Sequence, residues 1–158
     1  MQRWERWCAG MVLILACLPG HASPASESQI NACIDQAAGA FGVPSLPVHV
    51  LRKVEAGQVG MTSANKDGSY DIGPMQINSS WLESLKPLGI NEIELRDNGC
   101  VNAYVGTWIF YQTWLESNRD PVMAMARYHS HTPRRQAEYL NLVLKVLDRE
   151  VNRAIANR

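Results

Sequence analysis

Two cysteines constrain this 158-residue chain more than any other pair of residues. Four are present, but Cys8 and Cys17 fall in an N-terminal segment that reads as an export signal. Arg3 and Arg6 supply its positive charge, and Cys8 to Leu18 is an apolar run too short to span a bilayer. Gly20-His21-Ala22 offers small residues at the two positions a signal peptidase reads, so cleavage is expected after Ala22, leaving residues 23–158 as one exported domain. Ile14-Leu15-Ala16-Cys17 loosely resembles a lipobox, so a lipid anchor on Cys17 is a second outcome and an uncleaved anchor a third. All three put the domain outside the cytoplasm. There, the remaining Cys33 and Cys100 read as a disulfide, the alternative being two buried thiols. The bridge would tie the first helix to a later one and bracket everything between.

Once the leader is gone the chain is long enough for one core and too short for two domains. The leader removes Arg3, Arg6 and Glu5 from a balance of 15 basic and 15 acidic residues. The mature net charge is therefore about −1, which gives no electrostatic reason to bind nucleic acid or an anionic membrane. No further segment is apolar enough to be a transmembrane domain, and neither an internal repeat nor an appended binding module is visible. Ligand affinity has to come from a groove.

The remaining pattern is mainly helical. Ser26 with Gln29 forms a capping box for a first helix from about Glu27 to Phe41, and Gly42 ends it. Ile30, Cys33, Ile34, Ala37 and Phe41 share its apolar face. Ser45 and Pro47 open a second helix that carries Val48, Leu51 and Val54 and stops at Glu55-Ala56-Gly57; its His49 is assigned to packing. Residues 57 to 73 read as loop, with Tyr70–Ile72 and Met75–Ile77 as a small two-stranded element. Ser80 with Glu83 suggests a cap for a short helix ending before Pro87. Asn98 caps a long helix to about Asn118, whose face is expected to be Val101, Tyr104, Val105, Trp108, Ile109, Gln112 and Leu115. Trp108 is assigned to the core, with Trp81 and Trp114 left as candidates to line a cleft. Pro121 begins a short helix leading to Tyr128. Thr132-Pro133 starts the last helix, with Leu140, Val143, Leu147 and Val151 on its apolar side. His129 and His131 lack a well-spaced third and fourth ligand, so neither a metal site nor a cofactor is expected.

The chemistry concentrates between Val54 and Asn78. Glu55 ends an apolar helix, where packed neighbours would raise its pKa toward that of a general acid working near neutrality. A glutamate at a helix end is equally a solvated surface residue, and spacing alone does not separate the two. Asn65, Asp67 and Asp71 are candidates for sugar contacts, although turn formation accounts for such residues almost as well.

Three segments in order resemble the motifs of the lytic transglycosylases, bacterial murein-cleaving enzymes with a goose-type-lysozyme-like domain. Glu55-Ala56-Gly57 is similar to the family's Glu-Ser-Gly turn, Gly73-Pro74-Met75-Gln76 to its Gly-Leu-Met-Gln motif, and Ala126-Arg127-Tyr128-His129-Ser130 to its Ala-Tyr-Asn-Xaa-Gly motif. The resemblance covers nearly everything after the leader. It implies an α+β lysozyme-like fold, a single compact helical domain with a small β-hairpin region beside the cleft. It also implies cleavage of the β-1,4 bond between N-acetylmuramic acid and N-acetylglucosamine, with Glu55 as the one catalytic carboxylate. Gln76, Asn78 and Asp71 would contact sugar, Met75 would form an apolar wall beneath it, and Tyr128 would set its hydroxyl near Glu55. Ala56 in place of Ser, His129 in place of Asn and Pro74 in place of Leu depart from the pattern without removing the acid. The short length and the Met-Gln-Ile-Asn ending resemble small specialised members associated with conjugation, type III secretion and pilus assembly, so peptidoglycan strands and components of such an apparatus are the implied partners. A hydrolytic muramidase of the same fold, or a non-catalytic peptidoglycan-binding assembly factor, are the competing readings.

Overall fold

The computed structural model describes residues 24–156; the expected leader, its cleavage after Ala22 and the Cys17 alternative lie outside the described residues. Within them are seven α-helices and a three-stranded antiparallel sheet. This is a mainly α, lysozyme-like domain, as expected.

The caps written in the sequence set the first boundaries. Helix α1 (Glu27–Phe41) begins at the Ser26/Gln29 capping box and ends at Gly42, whose φ of 67° is the left-handed geometry of a helix stop. Helix α2 (Ser45–Glu55) starts three residues later and buries Val48, Val50 and Leu51. His49 is half-buried between the two, bonded to Asp35 at 2.7 Å and Asn31 at 3.3 Å.

The sheet differs from expectation. It comprises β1 (Thr62–Ala64), β2 (Tyr70–Ile72) and β3 (Ile77–Asn78), with β2 in the middle. Strand β1 lies in the segment read as loop, and Met75 belongs to the turn between β2 and β3 instead of a strand. Asn78, not Ser80, caps the 3₁₀ turn after β3, accepting from Ser80 N at 3.0 Å. That turn and a second one flank the four-residue α3 (Leu82–Leu85). Helix α4 (Glu92–Asp97) was not anticipated; Asn91 caps it.

Helix α5 (Gly99–Glu116), capped by Asn98, runs through the centre, with α1, α2, α4, α6 and β3 packed around it. Its expected single apolar face is corrected. Asn102, Ala103, Val105, Gly106, Thr107, Ile109, Phe110 and Thr113 are buried, whereas Tyr104 and Leu115 are 37% and 45% exposed. A helix enclosed on several sides has no one stripe to display, and its buried threonines satisfy themselves on the carbonyls of Ala103 and Phe110. Trp108 is half-buried against the core. Helices α6 (Pro121–His129, capped by Asp120) and α7 (Pro133–Ala156) complete the domain. The inward face of α7 is set by Tyr139, Val143 and Val146; of the expected set, Val143 is buried and Leu147 packs against the core partly buried, whereas Val151 is 56% exposed. Among the described residues no helix is long and apolar enough to cross a membrane.

Cys33 of α1 and Cys100 of α5 are joined, with Cα atoms 5.4 Å apart and a sequence separation of 67. A closed loop of that length removes enough freedom from the unfolded chain to stabilise the fold by about 4 kcal/mol. Double replacement Cys33→Ala/Cys100→Ala is expected to lower the free energy of urea unfolding by that order; a loss below about 1 kcal/mol would mean the loop is already restricted when unfolded.

Candidate active site

The site is built where α2 ends. Glu55 is its last residue, and Ala56 turns the chain out in a left-handed conformation at φ 50°, unusual for a residue with a side chain. Gly57 then passes so close to the β2–β3 turn that a Cβ there would lie 2.1 Å from Gly73 O and 2.6 Å from Gln76 Nε2. Only glycine allows this approach.

That turn, residues 73–76, is fastened from several directions. Asn102, fully buried in α5, accepts from Met75 N at 2.7 Å and donates to the carbonyls of Ile72 and Leu95 at 2.9 Å each. Arg52 of α2 reaches Pro74 O at 3.3 Å while paired to Glu27 at 2.7 Å. Tyr128 of α6 donates to Met75 O at 2.9 Å. Met75 itself is fully buried, its side chain laid across Gly106 of α5. The turn is therefore a fixed floor beside Glu55.

Above it lies an open groove of about 640 Å³. Its walls include Glu55, Asn65, Asp67, Asp71, Gln76, Asn78, Trp81 and Tyr128, so seven of the eight residues read from the sequence as acid or candidate substrate contacts come together there. The eighth, Met75, does not line the groove. It is corrected to a core residue under the floor, because the fastened turn points its side chain inward at Gly106. Asn78 sits opposite Asp71 in the β2–β3 register and donates to Asp71 Oδ1 at 2.9 Å and Ser69 Oγ at 3.0 Å, so both of its amide hydrogens orient the wall itself. Asp67, at the tip of the β1–β2 loop, accepts from Ser69 N and Oγ, a turn-forming arrangement. Trp81 stands edge-on to Trp108 with centroids 5.4 Å apart, and Trp114 is not part of the wall.

Tyr128 faces Glu55 closely enough to feel its charge but is not bonded to it. Tyr128's hydroxyl is committed to Met75 O, and the phenol bonded to Glu55 is Tyr139 of α7, 2.6 Å from Oε1. Tyr139 carries no local motif and comes 84 positions later, so nothing near Glu55 announces it. Asn102 was missed too, although a polar residue inside the apolar run Val101–Val105 is a usable sign of a buried hydrogen-bonding centre. Burial pushes the Glu55 carboxyl up to about 7; the Tyr139 hydrogen bond works against this, and the charge of Asp71 adds to it. Burial likewise raises Tyr128 and Tyr139, reinforced by the neighbouring Glu55 charge, so both phenols remain donors. The groove thus holds one carboxyl that keeps its proton near neutrality beside a second, Asp71, on the β2 strand.

No protein-family model matches the chain. The invasion protein IagB of Salmonella typhimurium is 36% identical over 78 residues, 49% of this chain and 49% of the relative, and the Salmonella typhi protein of that name matches equally. A peptidoglycan-binding-like protein of Escherichia coli O157:H7 is 32% identical over 90 residues, 52% of this chain and 54% of the relative. The chain spans about half the length of the curated relatives it matches. Homology over that half relates it to these proteins.

Proposed function

We propose that this protein is a peptidoglycan lytic transglycosylase that opens murein strands at their N-acetylmuramic acid–N-acetylglucosamine bonds. The observation that carries the reading is Glu55, a carboxyl with a pKa of about 7 on the wall of a groove of about 640 Å³, a size suited to an extended ligand. Its proton passes to the glycosidic oxygen as the bond to muramoyl C1 breaks. The muramoyl C6 hydroxyl then attacks C1, closing a 1,6-anhydro ring, and its proton goes to the Glu55 carboxylate, which is ready for the next cycle. Attack from within the same sugar requires no ordered water and gains from proximity. Gln76 and Asp71 on the walls offer amide and carboxylate contacts to sugar hydroxyls, Trp81 an apolar face, and Tyr128 holds the floor through Met75 O.

One observation favours a second reading. Asp71 shares the groove and its charge acts on Glu55. A second carboxylate able to activate water would make the enzyme a hydrolase. Digestion of purified sacculi separates the two. The expected products are muropeptides with anhydromuramoyl ends, identified by mass spectrometry; reducing ends would give Asp71 the role of base, and no cleavage would leave a peptidoglycan-binding assembly factor.

The biological setting is inferred from the relatives and the leader. One relative is named for peptidoglycan binding and another for invasion, and both names suit a protein acting on the cell wall where an envelope apparatus for secretion, conjugation or pilus assembly crosses it. Export by residues 1–22 and a periplasmic domain over residues 23–158 agree with the disulfide between Cys33 and Cys100.

A further inference from the structure

His129, the last residue of α6, lays its imidazole flat on the ring of Tyr139, with centroids 4.5 Å apart and planes 7° from parallel. The same phenol donates to Glu55 at 2.6 Å. Tyr139 is 3% exposed, while His129 lines the groove, so the imidazole lies between the Tyr139 ring and the groove. The junction that carries His129 is itself braced onto α7. Gln136 donates to Ser130 O at 3.0 Å, and Ser130 Oγ accepts from Thr132 N at 3.1 Å.

We propose that His129 is a positioning residue for Glu55: by clamping Tyr139 it keeps the phenol hydroxyl on the carboxylate, and so sets the pH above which the acid loses its proton. This rests on the reading of Glu55 as proton donor. A hydrogen bond to a carboxylate favours its charged form, so the Tyr139 contact holds Glu55 below the pKa that burial alone would give it. A phenol free to tilt would lose that bond, leaving burial unopposed. The other groups facing Glu55 are Asp71 of β2 and Tyr128 of α6. Those facing His129 are Asp71 and, from α7, Arg135. Burial, opposed by Asp71 and assisted by Arg135, keeps the imidazole below its ordinary pKa.

Two measurements read the ionisation of Glu55. One uses no substrate: the pH at which the stability gap between a protein and its Glu55→Gln derivative stops growing. The other is the alkaline limb of kcat/KM on sacculi. Tyr139→Phe, which deletes the hydrogen bond, is expected to move both upward by roughly one pH unit. His129→Ala should reproduce that shift, His129→Phe should restore the original value because it keeps a flat ring, and His129→Ala/Tyr139→Phe should go no further than Tyr139→Phe alone. The proposal is overturned if His129→Ala leaves the substrate-free value at that of the parent, if His129→Phe shifts it as far as His129→Ala, or if Tyr139→Phe does not move it. A protein that passes the substrate-free arm but yields no anhydro product would keep the clamp and lose the transglycosylase reading.

Discussion

Glu55→Gln is expected to remove murein cleavage while making the folded protein more stable above neutral pH. The first effect follows from the proposed reaction, in which Glu55 is the proton donor, and a loss of roughly 10²-fold to 10⁴-fold in anhydromuramoyl release is anticipated. The second follows from linkage. The Glu55 carboxyl has a pKa of about 7 in the fold against an ordinary value of 4.5, so the folded state binds the extra proton between those limits. The stability contributed by that bound proton is fully present below the unfolded value, declines as pH rises through the window, and is gone above about pH 7. Glutamine mimics the protonated form at every pH and still accepts a hydrogen bond from Tyr139. The two proteins should therefore unfold alike at about pH 4 and diverge to a plateau by about pH 8. The gap there is expected to be about 2 kcal/mol in favour of the variant, allowing for the side of the carboxylate that the groove leaves open to solvent. Urea unfolding at both pH values checks it. Equal stability at the higher pH would show that Glu55 is hydrated and ionised, and would leave the groove without an acid.

Boundaries governed by neighbouring residues were legible: the Ser26/Gln29 box, the Gly42 stop and the Asn98 and Pro121 starts all appear where local chemistry puts them. Glu55 was visible through the three ordered motifs, whereas the β2–β3 turn was only partly so, since Met75 was placed in a strand. The face of α5 was not, since α1, α4, α6 and β3 enclose it and a single stripe has no meaning there. On α7 Val143 was legible but Tyr139 and Val146 were not, because Leu140 and Leu147 are as apolar and only packing on α2 and α6 distinguishes them. Partnerships formed across the fold left no local trace. Tyr139 meets Glu55 from 84 residues away, and Tyr128 meets Met75 O instead.

Asn102 supplies the other large effect, on the floor beside the acid. Asn102→Ala is expected to destabilise the fold by about 4 kcal/mol, because three buried backbone groups lose their partner at once: Met75 N, Ile72 O and Leu95 O. Each unsatisfied group costs on the order of 1–3 kcal/mol, partly relieved by relaxation or by an entering water. Asn102→Asp separates the donors from the acceptor. Its carboxylate would still accept from Met75 N but would set a negative charge against two carbonyl oxygens, so it should be the worse variant near neutral pH and recover as the pH falls and the carboxyl gains a proton. The effect should extend to the groove. Residues 73–76 carry Gln76 and lie against Gly57, two positions from Glu55, so loosening this turn changes the acid's surroundings without touching it. Under conditions where Asn102→Ala is still folded, its kcat on sacculi should fall by about tenfold or more. A variant that unfolds earlier yet cleaves at the normal rate while folded would confine Asn102 to stability and release the turn from any part in placing Glu55.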